Sequence, residues 1–147
     1  MRPERPIQEL AQEMAETCLA EHARTLSRLI SGRYEAMAEP LGLTVARVLL
    51  LGAVARRGKA SPADLAERLG FDPSTLSRNF KAMREEGLVE MAHSAEGGRV
   101  EVSLTTRGER LFRQANKLWR VAQGEIEAEL GPTLSEAVRE AARRLRT

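Results

Sequence analysis

The stretch D-P-S-T-L-S-R-N-F-K-A-M-R-E-E-G-L-V-E, residues 72–90, begins as a short helix and ends as a strand. Asp72 is a capping residue, and Pro73 after it has a φ already suited to a first helical turn. Leu76, Phe80 and Met83 recur at i, i+4 and i+7 and form one apolar side. The other side carries Ser74, Thr75, Ser77, Arg78 and Lys81, short hydroxyls followed by two cations. A surface helix more often carries Glu/Lys pairs there. That face meets either plain solvent or an anionic partner, and its neighbours in the sequence decide between them.

Upstream, S-P-A-D-L-A-E-R-L-G (61–70) repeats the cap-then-proline start. Ser61 is placed to cap, Pro62 takes N1, Asp64 stands at the capping-box position and Gly70 ends the helix. Only Phe71 separates Gly70 from Asp72. Two short helices joined by a turn of about three residues with a glycine have the signature of a helix-turn-helix. Downstream of Gly87, L-V-E-M-A-H and R-V-E-V-S-L-T alternate, with Val89 and Met91 facing inward on one strand and Val102 and Leu104 on the other. S-A-E-G-G lies between them as a hairpin tip, with Arg99 at its base.

Further out, V-A-R-V-L-L-L-G-A-V-A is apolar almost all round and reads as a buried helix, capped by Thr44 and closed by Gly58. From Ile7 to about Glu39 apolar residues keep helical spacing until Glu39-Pro40 stops them. An unbroken helix over 7–39 is roughly 45–50 Å long, more than a small domain can cover by itself. A partner chain is the economical cover. Thr106-Arg107-Gly108-Glu109 reads as a capping box opening a helix with Leu111, Phe112, Ala115, Leu118, Trp119, Ala122, Ile126 and Leu130 on one side. Gly131-Pro132 breaks it, and a last amphipathic helix carries Leu134, Ala137, Val138, Ala141 and Leu145.

The 147 residues suit one domain, expected to span 1–147, with 42% apolar and 30% charged residues placing it among globular chains. Net charge is only +2, and between Thr44 and Gly108 ten Lys or Arg face eight Asp or Glu. Bulk charge therefore carries no nucleic-acid argument; the placement of charges must. One cysteine, Cys18, excludes an intrachain disulfide and fits a reducing cytoplasm. The charged start M-R-P-E-R-P-I-Q-E is unlike a signal peptide and no apolar run reaches membrane-spanning length, so a soluble cytoplasmic protein is expected. Cys18, His22 and His93 share no metal-ligand spacing, and no nucleophile elbow, phosphate loop or paired carboxylate offers catalysis. No enzyme, metal or cofactor is expected.

The order long helix, L-G-L-T, buried helix, A-D-L-A-E-R-L-G, D-P-S-T-L-S-R, G-L-V-E, hairpin and S-L-T-T-R-G-E resembles the MarR family of transcriptional regulators over nearly the whole chain. The resemblance implies a mainly α fold with a minor β part, a winged helix-turn-helix over 44–105 with a two-stranded wing, and dimerisation helices over 7–39 and 107–147. It implies a homodimeric repressor of nearby genes that binds double-stranded DNA at an inverted repeat. Release by a small phenolic or lipophilic effector, or by cysteine oxidation, would follow. Ser74, Thr75, Ser77, Arg78 and Lys81 are then the major-groove residues, with Arg99 on the wing. Where the family's wing commonly reads Asp-x-Arg, this chain has Glu96-Gly97-Gly98 with Arg99 one position later. Cys18 is the one candidate redox sensor, read first as a small residue inside an apolar helical stripe. The competing reading is a winged-helix module for protein–protein assembly, in which Arg78 and Lys81 meet acidic side chains.

Overall fold

A computed structural model describes residues 5–146, which fall into two compact units, one reaching Arg33 and the other starting at Tyr34. The first holds α1 (Ile7–Thr17) and most of α2 (Leu19–Ala38). The single helix expected over 7–39 is thus two. Cys18 leaves the helical region with φ −68° and ψ 106°, although its N–H still donates to Met14 O at 2.9 Å. The Thr17 hydroxyl donates back to Glu13 O at 2.7 Å, the kind of side-chain bond that bends a helix. Cys18 is therefore a junction residue and not, as the periodicity suggested, one inside a helix. Neither helix has the length of the single one expected, so length alone does not call for a partner chain.

The second unit contains the winged helix. α2 ends at Ala38, and Glu39–Leu41 make a 3-10 turn that stops at Gly42, φ 66°. In α3 (Val45–Arg57), Thr44 caps by accepting from Arg47 N at 3.3 Å, and Val48, Leu50, Leu51, Ala53 and Val54 are buried, as expected for a helix apolar on nearly every side. α4 (Pro62–Leu69), α5 (Pro73–Glu85), β2 (Val89–His93) and β3 (Val100–Leu104) follow. Phe80, Leu65, Met83, Leu88, Val89 and Val102 join the α3 residues and Ala115 in one core. Burying such side chains is worth on the order of 1.5–3 kcal/mol each.

The wing sheet has a strand that the alternation did not show. β1 (Lys59–Ala60) pairs with β3, giving an antiparallel sheet of order β1-β3-β2. Two residues are too few to display a period, so only the pairing of Ala60 with Val102 reveals it. Met91 pairs with Val102 and Val89 with Leu104, the inward register expected for the hairpin.

Two expected caps differ. Ser61 is the N-cap of α4, but its side chain makes no capping hydrogen bond, so no capping box forms with Asp64. The last long helix, α6 (Thr106–Arg144), is capped by Thr105 and not by Thr106. The Thr105 hydroxyl donates to Gly87 O at 2.6 Å and accepts from Gly108 N at 3.0 Å, while Thr105 N donates to Leu88 O at 3.1 Å. Tertiary contact selects between two adjacent threonines. A Cβ at Gly108 would lie 2.0 Å from Leu88 O, so only glycine fits this junction. Within α6, Gly131 leaves the helical region (φ 74°, ψ 165°), the break expected at Gly131-Pro132. Arg139 then reaches Glu127, which also accepts from Gln123 at 2.7 Å, and Gln123 in turn accepts from the Tyr34 hydroxyl. Among the described residues no single helix is long and apolar enough to cross a membrane, and no cluster of side chains could hold a metal ion.

Candidate nucleic-acid interface

α5 positions its polar face by facing the core with Leu76, Phe80 and Met83, all buried, so Ser74, Ser77, Arg78 and Lys81 are exposed on the far side and Thr75 is half-buried at the margin. At 100° per residue, Ser74, Arg78, Lys81 and Glu85 fall on one outward line. The line is therefore cationic only as far as Lys81, and Glu85 closes it with an acid. Arg84, also exposed and one turn beyond Lys81, was overlooked in the sequence; its signal was the i+3 spacing from Lys81.

The start of α5 is internally ordered. Asp72 accepts from Thr75 N at 3.0 Å, and the Ser74 hydroxyl donates to the same carboxylate oxygen. Those bonds, the Ser74 hydroxyl first and the Thr75 N–H next, hold the Asp72 carboxyl below its ordinary range. Arg78 donates to the Thr75 hydroxyl at 3.3 Å, and Asn79 to Thr75 O at 2.9 Å. Among the described residues neither Arg78 nor Lys81 takes part in an ion pair. The two cations are available to an outside anion, with Arg78 already tethered to its neighbour.

Arg99 is exposed at the base of the wing tip, where Ser94 N donates to Arg99 O at 2.7 Å and Gly98 takes φ 71°. Arg99 and Ser77 line one groove of about 730 Å³, floored by Leu76, Phe80, Met91 and Val100. The fold thus brings the wing cation beside the polar face of α5. Cys18 is far from these residues in sequence, lies in the other unit and is partly exposed. Its carbonyl sits 2.9 Å from His22 Nδ1, and no hydrogen bond reaches its thiol among the described residues.

Residues 41–100, which hold α3, the helix-turn-helix and the first strand and tip of the wing, match a known family model, that of the MarR family. Over those residues the chain is similar to the MarR family. Members of the MarR family are transcriptional regulators and not enzymes. Solved structures agree in fold. A mutant MarR of E. coli, with one cysteine changed to serine and complexed with operator DNA, is similar with a TM-score of 0.81 at 19% identity, covering 90% of this chain and 96% of that one. MosR, a transcriptional regulator of M. tuberculosis, is 25% identical with a TM-score of 0.77, covering 89% and 97%. CouR from Rhodococcus jostii RHA1, bound to p-coumaroyl-CoA, is 18% identical with a TM-score of 0.78, covering 89% and 93%. No curated protein sequence matches this chain significantly.

Proposed function

We propose that this chain is a MarR-family, sequence-specific DNA-binding repressor that works in the cytoplasm as a homodimer on an inverted repeat and is released by a small ligand. The observation that carries this reading is the outward line of α5, where Arg78 and Lys81 form no ion pair among the described residues and stand beside oriented hydroxyls. In the major groove Arg78 can bridge O6 and N7 of guanine, Lys81 can meet phosphate, and Ser74, Thr75 and Ser77 are short enough to reach phosphates or base edges. Arg99 follows on the wing toward the minor groove. The operator-bound relative shares the fold over nine-tenths of this chain, which supports the same docking.

Pairing of two copies is supported by large apolar side chains left uncovered. Ile7, Met14 and Leu19 in the first unit, and Val121, Leu134 and Leu145 in the second, are each more than half exposed. Surplus of that kind marks an interaction surface. Two-fold symmetry then sets the half-site centres roughly 10 bp apart. The effector, a phenolic or lipophilic compound, has a cleft of about 660 Å³ between α6 and the end of β3, walled by Phe112 and Leu104.

A gel shift with the DNA upstream of the protein's own gene, across a salt series, tests the reading. A shifted complex whose affinity falls linearly on a log–log plot with salt is expected. Failure to bind even at low salt would leave the protein-assembly module, the alternative that the near balance of charge in the middle of the chain favours.

A further inference from the structure

Arg47 and Glu86 each stand where a helix dipole disfavours them. Arg47 is a cation in the first turn of α3, and Glu86 is an acid at the C-cap of α5. They answer one another: Arg47 Nη1 donates to both carboxylate oxygens of Glu86, at 2.9 and 3.2 Å, across 39 positions of sequence. The Arg47 side chain is 20% exposed and that of Glu86 44%, and a pair so open to water adds little to stability. What sets it apart is its place. Among the described residues it is the one side-chain hydrogen bond or ion pair that joins α5 or its caps to another element. The bonds that order the face of α5 are internal to it, and Leu76, Phe80 and Met83 hold it on the core. Apolar contact is non-directional, so it holds a helix down more firmly than it fixes the tilt. The α3 end of the link is itself pinned. The Thr44 hydroxyl accepts from Arg47 N at 3.3 Å, and the Glu35 carboxylate of α2 accepts from Val45 N at 3.2 Å.

We propose that Arg47 and Glu86 are a positioning pair for base readout: without touching DNA, they fix the tilt at which α5 presents Ser74, Arg78 and Lys81. The inference rests on the DNA-binding reading above and names residues outside the α5 face on which that reading depends. The lever is long. Ser74 lies about 18 Å along the helix from Glu86, so a tilt of about 5° about that end moves Ser74 by about 1.5 Å. A shift of that size takes a hydrogen bond to a base edge out of range, whereas attraction to the phosphate chain hardly changes. Loss of the pair therefore costs discrimination more than general affinity. The pair offsets two unfavourable dipole contacts, so its stabilising surplus is small and its hold on the geometry is what remains.

Fluorescence anisotropy of the full chain with two duplexes of equal length tests the pair. One is a fragment the parent chain selects from a random pool, the other is unselected, and the readout is the ratio of the two affinities. Glu86→Gln and Arg47→Gln are each expected to lower that ratio about fivefold, which is about 1 kcal/mol, and to leave the salt slope on the unselected duplex unchanged. The two substitutions change the net charge in opposite directions, so a fall in both marks position and not charge. The exchange of Arg47→Glu with Glu86→Arg, which suits both helix dipoles, is expected to restore most of the ratio. Far-UV circular dichroism melts check the fold, and either Gln variant carries the test if the other does not fold. Opposite shifts in the two Gln variants, a salt slope lower by about 1 for Arg47→Gln, an unchanged ratio in folded variants, or an exchange that restores nothing would each overturn the inference. A parent that prefers its selected duplex while the folded variants do so equally well defeats only this inference. A parent that binds neither duplex, or both alike, defeats the sequence-specific reading, and the inference falls with it.

Discussion

α5 and the wing reach their geometry by opposite routes. α5 carries its order with it: Asp72 caps it, the same carboxylate holds Ser74, and Thr75 holds Arg78, all within seven residues. The wing depends on its base. Its tip contains Gly98 at positive φ, and its lower end is fixed by Thr105 between Gly87 and Gly108 and by the close approach of Gly108 to Leu88 O. A face held by local bonds can read sequence, because its side chains need little reordering on binding. A hairpin with an unanchored cation contributes attraction more than discrimination. In the proposed complex, specificity therefore falls to α5 and general affinity to the wing.

The largest test strikes the wing's base. Gly108→Ala forces a methyl group into Leu88 O, and about 3 kcal/mol of stability is expected to go, at the upper end of overpacking effects, as read from denaturant melts. A variant as stable as the parent would show that the junction can shift and that the wing is not fixed there. Next in size, Arg78→Ala is expected to weaken binding to the preferred site by about 1–3 kcal/mol and to relax one base position. Equal loss on random DNA would make Arg78 a phosphate contact and erase the contrast with the wing.

Asp72→Ala is expected to lower stability measurably in denaturant melts, and Asp72→Asn much less, since Asn caps equally well. Because the Asp72 carboxyl is held low in the folded chain, its contribution is fully present above the ordinary carboxylate pKa and fades as pH falls through the lowered one. The difference between Asp72 and Asp72→Ala should therefore vanish in strongly acidic solution and persist at neutral pH. A difference that is flat with pH would mean that the carboxylate is not the cap. Smallest of all, Arg99→Ala should reduce affinity evenly across DNA sequences and lower the salt slope by about 1. A sequence-selective loss would move readout into the wing and contradict the division drawn here.

Much of this was legible in the residues. The two cap-then-proline starts, the glycine between them and the i, i+4, i+7 apolar sides placed α4 and α5 and turned Ser74, Arg78 and Lys81 outward, because these signals are local. What stayed hidden depended on distant partners. β1 exists only through its pairing with β3. The choice of Thr105 over Thr106 is made by Gly87 O, eighteen positions away. The break at Cys18 has no proline or glycine to announce it; a threonine hydroxyl bonded back to Glu13 accompanies it. The cleft along α6 was equally out of sight, since Phe112 and Leu104 come beside Arg113 and Lys117 only once β3 is packed. The polar face of residues 74–81 needed only its own helix, and the structure added how Asp72 and Thr75 hold it.

The central claim is that this face, doubled by two-fold symmetry, reads duplex DNA. Selection of bound fragments from a random pool by the full chain tests it most directly. The account predicts an inverted repeat with half-site centres roughly 10 bp apart, each half containing a guanine whose enrichment Arg78→Ala abolishes. Fragments with no shared sequence, or a single unrepeated motif that Arg78→Ala leaves unchanged, would contradict it.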